Sequence, residues 1–189
     1  RMPNGSINPN AIRLVEAETE PIVAKNSKWK YHDTGVKLDK VDWIAPDYDD
    51  SEWKVGQAEL GYGDGDEVTV VDRGPDPSTK HHTTIYFRKE FQLRNEGDKS
   101  LFIKLLRDDG AVVYLNGEEI LRSNMRTGMP RYSSYTAERN PVKESRIYFP
   151  YFIETPNFVN GRNLFAVEVH RGSRYDKDLS FNWMLFTPA

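Results

Sequence analysis

Turn-forming residues interrupt this chain every eight to fifteen positions, and no segment between them has the apolar spacing of a long amphipathic helix. Regular punctuation of this kind is typical of all-β sandwiches and barrels. The segment "TTIYFRKEFQL" shows the underlying pattern, because Ile85, Phe87 and Phe91 alternate with Tyr86 and Arg88. An alternation with a period of two predicts a strand that has one buried face and one solvent-exposed face.

The same analysis predicts six strands along the chain. They are residues 84–93, 101–106, 111–115, 118–122, 163–170 and 179–186. Asn116-Gly117 predicts a tight hairpin between two of them, because both turn positions favour positive φ. The chain has 189 residues, a length that suits one domain. We predict a single domain over residues 7–189, with residues 1–6 as a cloning remnant or a flexible end.

The composition excludes several classes of function. A net charge of -3 provides no basic surface for nucleic acid, and no apolar run approaches the roughly 20 residues that span a bilayer. The absence of cysteine excludes disulfides and thiol chemistry. We therefore expect no nucleic-acid partner and no membrane span.

No sequence motif for catalysis is present. The chain contains no Gly-x-Ser-x-Gly elbow, and the glycine-rich "GYGDGD" lacks the strand-to-helix context of a phosphate loop. The paired carboxylates of a glycosidase cannot be recognised this way, because they meet only in space. Glu168 and His170 lie two positions apart on a predicted strand, so they form either half a metal site or a polar strand face.

Two acidic segments have open interpretations. Asp108, Asp109 and Gly110 form either a tight turn, a calcium or ligand site, or a catalytic pair. In the turn, aspartate would cap backbone amides and glycine would adopt a conformation that other residues resist. Asp64, Asp66 and Glu67 lie either in a calcium-binding loop or in a flexible acidic loop.

Two long segments, 61–83 and 123–145, are rich in turn and polar residues and predict loops. Long loops in a compact domain often carry binding sites. Trp53 follows an Asp-Asp-Ser turn and is predicted to enter the core. Trp43 precedes a loop with a proline and is the better candidate for a ligand platform.

Six blocks of the chain together resemble a galactose-binding-domain-like module. The blocks are "YHDTG", "DYDDSEWKVGQAELGYGDGDEVT", "TTIYFRKEF", "LLRDDGAVVYLNGEEILRSNM", "GRNLFAVEVH" and "DLSFNWML", which extend from about Trp29 to Phe186. Such modules occur in large exported bacterial proteins beside metallophosphatase, glycosidase or cell-surface domains. "DDSEW" and "YFRKEF" are also similar to the N-terminal sugar-binding domain of β-galactosidase-type glycosidases.

A further similarity concerns the paired aspartates. "DDGAVVYLNG" resembles the signature of the anthrax-protective-antigen-type domain. In sugar-binding members of that family the two aspartates hold a calcium ion that contacts sugar hydroxyls. The resemblance therefore implies calcium as the candidate cofactor, with Asp108 and Asp109 as its ligands.

The resemblance implies an all-β jelly-roll sandwich of two antiparallel sheets that binds carbohydrate and has no catalytic activity. Its expected partners are a carbohydrate or cell-surface glycan and neighbouring domains of the same polypeptide, in an extracellular or cell-surface protein. The alternatives are a structural domain that docks on a catalytic neighbour and a glycan-active enzyme on a sandwich scaffold. The expected ligand site lies at the loop end of the sandwich. Its candidate residues are Trp43, Tyr48, Tyr62, Asp64, Asp66, Arg126, Tyr132 and Tyr135.

Overall fold

A computed structural model of the chain describes residues 20–75, 81–94, 100–138, 146–154 and 156–187. Eleven strands and no helix occur in these ranges. The strands are β1 (Lys28–His32), β2 (Lys54–Gln57), β3 (Leu60–Tyr62), β4 (Thr69–Val70), β5 (Thr84–Leu93), β6 (Leu101–Asp108), β7 (Gly110–Leu115), β8 (Glu118–Ser123), β9 (Tyr148–Ile153), β10 (Gly161–His170) and β11 (Leu179–Phe186). All six predicted strands are confirmed, and β1 to β4 and β9 are additional.

The strands form two sheets that pack as a sandwich. One sheet has six strands in the order β2-β1-β5-β10-β7-β8, and the other has five in the order β4-β3-β11-β6-β9. All pairings are antiparallel except the short one between β3 and β4. The predicted all-β sandwich is confirmed, with neighbouring strands that are mostly distant in sequence, as in a jelly roll.

Aromatic side chains fill the space between the sheets. Phe87 of the six-stranded sheet stacks on Phe181 of the five-stranded sheet, with ring centroids 4.3 Å apart. Phe165 and Trp183 also meet across the sandwich, but edge to face, with ring centroids 4.6 Å apart. Ile85, Phe87 and Phe91 all lie in this core, as their alternation predicts. Burial of these rings provides most of the stabilisation available to a two-sheet fold.

The outer face of the six-stranded sheet is also buried, which corrects the predicted solvent exposure of Tyr86 and Arg88. Both side chains are at most 2% exposed. Residues 38–53 cross over this face and bring Trp43 and Trp53 against it. The predicted burial of Trp53 is confirmed, but in this second apolar cluster rather than between the sheets.

A buried ion pair holds the crossing segment in place. Arg88 Nε donates to Asp50 Oδ2 at 2.7 Å, and the guanidinium also donates to the backbone carbonyls of Trp43 and Ala45. The ring of Tyr48 lies 5.3 Å from the same guanidinium. Arg88 therefore holds the middle of the crossing segment against the sheet.

Two turns show how the sequence sets local geometry. Asn116 and Gly117 have φ values of 50° and 88°, so the predicted hairpin between β7 and β8 is confirmed. Asp109 and Gly110 connect β6 of one sheet to β7 of the other. Gly110 does not have positive φ, contrary to expectation. It is required because an added Cβ would lie 2.6 Å from Thr136 Cγ2.

The predicted loops at 61–83 and 123–145 are confirmed in part. The first contains the end of β3 and the whole of β4, whereas the second has no strand between Asn124 and Glu138. The expected terminal segment 1–6 lies outside the described residues. Among the described residues no helix is long and apolar enough to cross a membrane.

Candidate functional site

A cavity of about 640 Å³ opens on the outer face of the six-stranded sheet. Its floor is formed by Tyr86, Tyr114 and Glu168, which project from the adjacent strands β5, β7 and β10. Its walls are the segments 38–44 and 127–130. We call it the aromatic pocket. Its volume lies in the range of small-molecule sites, about 300–1,000 Å³.

Three aromatic rings shape the aromatic pocket. The ring of Trp43 meets that of Tyr86 edge to face at 4.8 Å and that of Tyr114 at 5.9 Å. All three side chains are at most 8% exposed. The rings are therefore fixed by packing before any ligand enters, which lowers the entropic cost of binding.

Glu168 is the polar centre of the pocket floor. Its Oε1 accepts a hydrogen bond of 2.6 Å from the Tyr114 hydroxyl, and its Oε2 lies 2.9 Å from Nε2 of His170. The other ring nitrogen of His170 lies 2.9 Å from the Ser134 carbonyl oxygen, which can only accept. Thr84 Oγ1 also lies 2.9 Å from that nitrogen, so both ring nitrogens of His170 lie within hydrogen-bond distance of buried oxygen atoms.

This arrangement decides between the two interpretations of Glu168 and His170. Both side chains form a polar face of β10, as one interpretation holds, and that face is buried. Both nitrogens of His170 already have hydrogen-bond partners within the protein, which argues against half a metal site. The pair instead supports the floor of the aromatic pocket from behind.

The rim of the aromatic pocket is charged. Arg122 is bound in bidentate fashion by Glu119, with distances of 2.8 and 2.6 Å, and this hydrogen bonding raises the pKa of Arg122. Across the opening, Asp39 Oδ1 accepts the backbone N–H of Tyr132 at 2.6 Å. Asp42 also lines the opening and is exposed.

Four of the predicted ligand residues lie at or beside the aromatic pocket. Trp43 lines it, and Tyr132 packs against the adjoining apolar cluster with its hydroxyl 3.2 Å from Nδ1 of His82. Arg126 and Tyr135 line a second cavity of about 330 Å³ that shares residues 127–130 with the first. The structure therefore brings these predicted residues to one region.

The other predicted ligand residues lie apart from the aromatic pocket. Tyr48 contacts Trp53 and Arg88 instead of the cavity. Asp66 forms an ion pair with Arg146 at 3.2 Å. Tyr62 and Asp64 belong to the five-stranded sheet and its adjoining loop.

Asp64, Asp108 and Asp178 form an acidic cluster at one edge of the five-stranded sheet. One carboxylate oxygen from each lies within 4.8 Å of the others. They meet because β11 lies between β3 and β6 and runs antiparallel to both, so its beginning lies beside their ends. Sequence reasoning singled out two of the three members but did not identify Asp178.

The spacing of the acidic cluster fits calcium. Calcium binds oxygen at about 2.3–2.6 Å, so two oxygens on opposite sides of an ion are about 5 Å apart. Burial and the charges of Asp109 and Asp178 raise the pKa of Asp108 to about 8. A bound cation would relieve this repulsion.

Asp109 and Tyr62 flank the acidic cluster. Asp109 Oδ2 accepts the backbone N–H of Gly172 at 2.6 Å, an amide 63 positions away, whereas the sequence predicted that aspartate would cap amides of the turn itself. Burial raises the pKa of Asp109, although this hydrogen bond opposes the shift. Tyr62 is 2% exposed, and its hydroxyl has no hydrogen-bond partner among the described residues.

Sequence reasoning missed the polar and aromatic floor of the aromatic pocket. Tyr86 and Tyr114 lie on the faces of their strands that alternation assigns to solvent. The sequence did carry one signal of a second buried face, namely a large aromatic residue on the outward face of each of these two strands. Their proximity depends on β10, which pairs with both β5 and β7.

No family model and no curated protein match the chain. Solved structures with a similar fold include a β-glucuronidase from an uncultured Clostridium species, with a TM-score of 0.53 and 14% identity over 87% of this chain. Another is the Bacteroides uniformis β-glucuronidase, with a TM-score of 0.52 and 14% identity over 89% of this chain. The chain spans 29% and 18% of the length of these two enzymes.

These similarities establish the fold of the chain. At 14% identity the similarity shows only the β-sandwich fold, and this chain corresponds to a minor part of each enzyme. The chain therefore shares the architecture of one β-sandwich portion of larger glycosidase chains.

Proposed function

We propose that the chain is a non-catalytic, carbohydrate-binding module of a larger extracytoplasmic protein, with its ligand in the aromatic pocket. The observation that carries this proposal is the cavity of about 640 Å³ with Trp43 in its wall and Tyr86, Tyr114 and Glu168 in its floor. Sugars present apolar C–H faces and many hydroxyl groups. Aromatic rings suit the former, and carboxylate oxygens accept hydrogen bonds from the latter.

The names and lengths of the structural neighbours support the proposal that the chain is part of a larger glycan-related protein. They are named as β-glucuronidases, and the chain covers 29% or less of the two described above. A module of this size beside a catalytic domain would have neighbouring domains of the same polypeptide as partners. The extracellular or cell-surface location is part of the same proposal.

The bonding of the pocket carboxylates argues against catalysis. Glycoside hydrolysis requires one carboxyl group to donate a proton and a second to act as nucleophile or base. In the aromatic pocket, Glu168 is held by Tyr114 and His170, and Glu119 is held by Arg122. These partners hold both groups in fixed positions, which suits recognition.

Calcium at the acidic cluster is a second proposal that rests on a separate observation. Asp64, Asp108 and Asp178 converge within 4.8 Å, and calcium prefers carboxylate oxygens at such distances. Asp109 would orient the turn through its bond to Gly172. When bound, the ion would supply fixed positive charge at a loop edge and stabilise the folded state.

A glycan array probed with the chain tests the proposed function. We expect binding to at least one glycan, and weaker binding by Trp43→Phe, which retains an aromatic ring but removes part of the wall. Tyr175→Ala is the control, because this side chain is 62% exposed and does not line the aromatic pocket. Binding to no glycan would favour the docking alternative.

Turnover of chromogenic glycosides tests the enzyme alternative with the same protein. The proposal predicts no hydrolysis above background. Hydrolysis that is abolished by Glu168→Gln but retained by the exposed control Glu52→Gln would show that the aromatic pocket is an active site.

A further inference from the structure

Carboxylates dominate the charge of the aromatic pocket. Among the described residues that line it, four are acidic and one is basic. They are Asp39, Asp42, Glu119, Glu168 and Arg122. Such an excess within one small opening affects which ligands can enter, because charges interact strongly over a few ångströms.

The arginine at this site is already paired. Arg122 uses Nε and Nη2 to bind both oxygens of Glu119, and its Nη1 donates to the backbone carbonyl of Arg126. His170 lies behind the floor and binds Glu168. A ligand carboxylate or sulfate would therefore meet an arginine whose charge Glu119 already balances.

Asp39 and Asp42, in contrast, lack cationic partners among the described residues. Asp39 uses one oxygen to accept the Tyr132 amide, and both side chains are exposed on the segment 38–44. Lys40, between them, is exposed but does not line the cavity. The opening therefore presents free acceptor oxygens and uncompensated negative charge.

From this distribution we infer that the aromatic pocket selects glycans without acidic groups, and that a free amino group on the sugar strengthens binding. The inference rests on the proposed function and names its ligand class. Neutral hydroxyls and ammonium groups both donate hydrogen bonds to carboxylates. Uronic acids and sulfated sugars cannot donate through their anionic groups and are repelled by the like charge.

The test uses an array on which each sugar backbone is present in matched neutral, amine-bearing and carboxylate-bearing forms. For every sugar backbone that binds, we expect the affinity to be highest for the amine-bearing form, lower for the neutral form and lowest for the carboxylate-bearing form. The preference for the amine-bearing form should fall as salt is added, because the charges are exposed. Equal or tighter binding of carboxylate-bearing forms would overturn the inference and leave the proposed function standing.

Asp39→Asn and Asp42→Asn test whether these two carboxylates cause the preference. Each should weaken binding of amine-bearing glycans by about two- to fivefold more than it weakens binding of the matched neutral glycans, a typical effect of one exposed charge. Asp47→Asn is the matched control, because Asp47 is exposed in the same crossing segment but does not line the cavity. Binding of amine-bearing glycans that neither substitution changes would also overturn the inference. Absence of binding to every backbone would contradict the proposed function and the inference together.

Discussion

The hydroxyl of Tyr114 donates a 2.6 Å hydrogen bond to Oε1 of Glu168 inside the aromatic pocket. The tyrosine lies on β7 and the glutamate on the adjacent strand β10, so the bond joins two strands on the outer face of the sheet. Burial and the Glu168 carboxylate both raise the pKa of Tyr114, so the hydroxyl keeps its proton and acts as a donor. This contact fixes the orientation of the carboxylate that a ligand would meet.

Removal of this hydroxyl should destabilise the fold. Tyr114→Phe leaves a buried carboxylate oxygen without its donor, which we expect to cost about 1.5–3 kcal/mol in the free energy of unfolding. Urea denaturation measures the loss. Tyr135→Phe is the control, because Tyr135 is 39% exposed, and it should change stability by less than about 0.5 kcal/mol. Equal effects of the two substitutions would contradict the assigned importance of the bond.

The Arg88–Asp50 ion pair should be far more important than a surface pair. Arg88 is 1% exposed, so Asp50→Ala leaves a buried guanidinium without its carboxylate and should cost about 3–5 kcal/mol. Glu90→Ala breaks the exposed pair with Arg162, whose side chains are 58% and 52% exposed, and should cost less than about 1 kcal/mol. Chemical denaturation of both variants gives the comparison. A cost for Asp50→Ala as small as that for Glu90→Ala would show that the pair does not hold the crossing segment.

Glu59 should make the stability depend on pH. Burial, followed by the charges of Asp66 and Glu67, raises the pKa of Glu59 from 4.5 to about 7. Between these two values the unfolded chain releases the proton and the folded chain retains it, so stability falls as the pH rises through this window.

Glu59→Gln removes this contribution. Relative to the parent, the variant should therefore gain stability as the pH rises from about 4.5 to about 7. Urea denaturation across the window measures the difference, and the exposed substitution Glu52→Gln should run parallel to the parent. If the free energies of unfolding of Glu59→Gln and the parent differed by the same amount at every pH, the prediction would be contradicted.

Calcium should raise the melting temperature if it binds the acidic cluster. Binding to the folded state alone stabilises it by about 2.7 kcal/mol at a hundredfold excess over the dissociation constant. Thermal melting with calcium and with chelator measures this shift. Asp108→Asn and Asp178→Asn should abolish the response. Asp66→Asn should retain it, because Asp66 pairs with Arg146 outside the cluster.

The stability of Asp108→Asn without calcium tests the repulsion within the acidic cluster. In chelator, Asp108→Asn should be at least as stable as the parent at neutral pH, because it removes a buried carboxylate from a repulsive cluster. Identical parent melting curves with calcium and with chelator would eliminate the calcium site. The Asp108–Asp109 segment would then be a turn between β6 and β7, held by the bond from Gly172 to Asp109.

The strands and the inter-sheet core could be predicted from the sequence. Ile85, Phe87 and Phe91 lie in the core because alternation along a strand is a local property, and a buried face leaves its period in the residues themselves. The hairpin at Asn116 and Gly117 is equally local, since two positive φ angles suffice to specify it. Short strands such as β3 and β4 have too few residues to show a period.

The candidate sites could be predicted only in part. Trp43 and Asp108 were identified as individual residues, but the companions of each lie elsewhere in the chain. Glu168 was considered only together with His170, and its bond to Tyr114 spans 54 positions of sequence. No local pattern connects residues so far apart.

The sequence by itself therefore determined the positions of the main strands and the face that each turns to the core. Only the tertiary structure decided that residues 38–53 cover the outer face of the six-stranded sheet and turn Tyr86 from an exposed position into the floor of a pocket. It also decided that Asp64, Asp108 and Asp178 meet, because β11 pairs between β3 and β6. The physical reason is that alternation records only whether a face is buried, whereas strand order and the path of a crossing segment decide which residues share that burial.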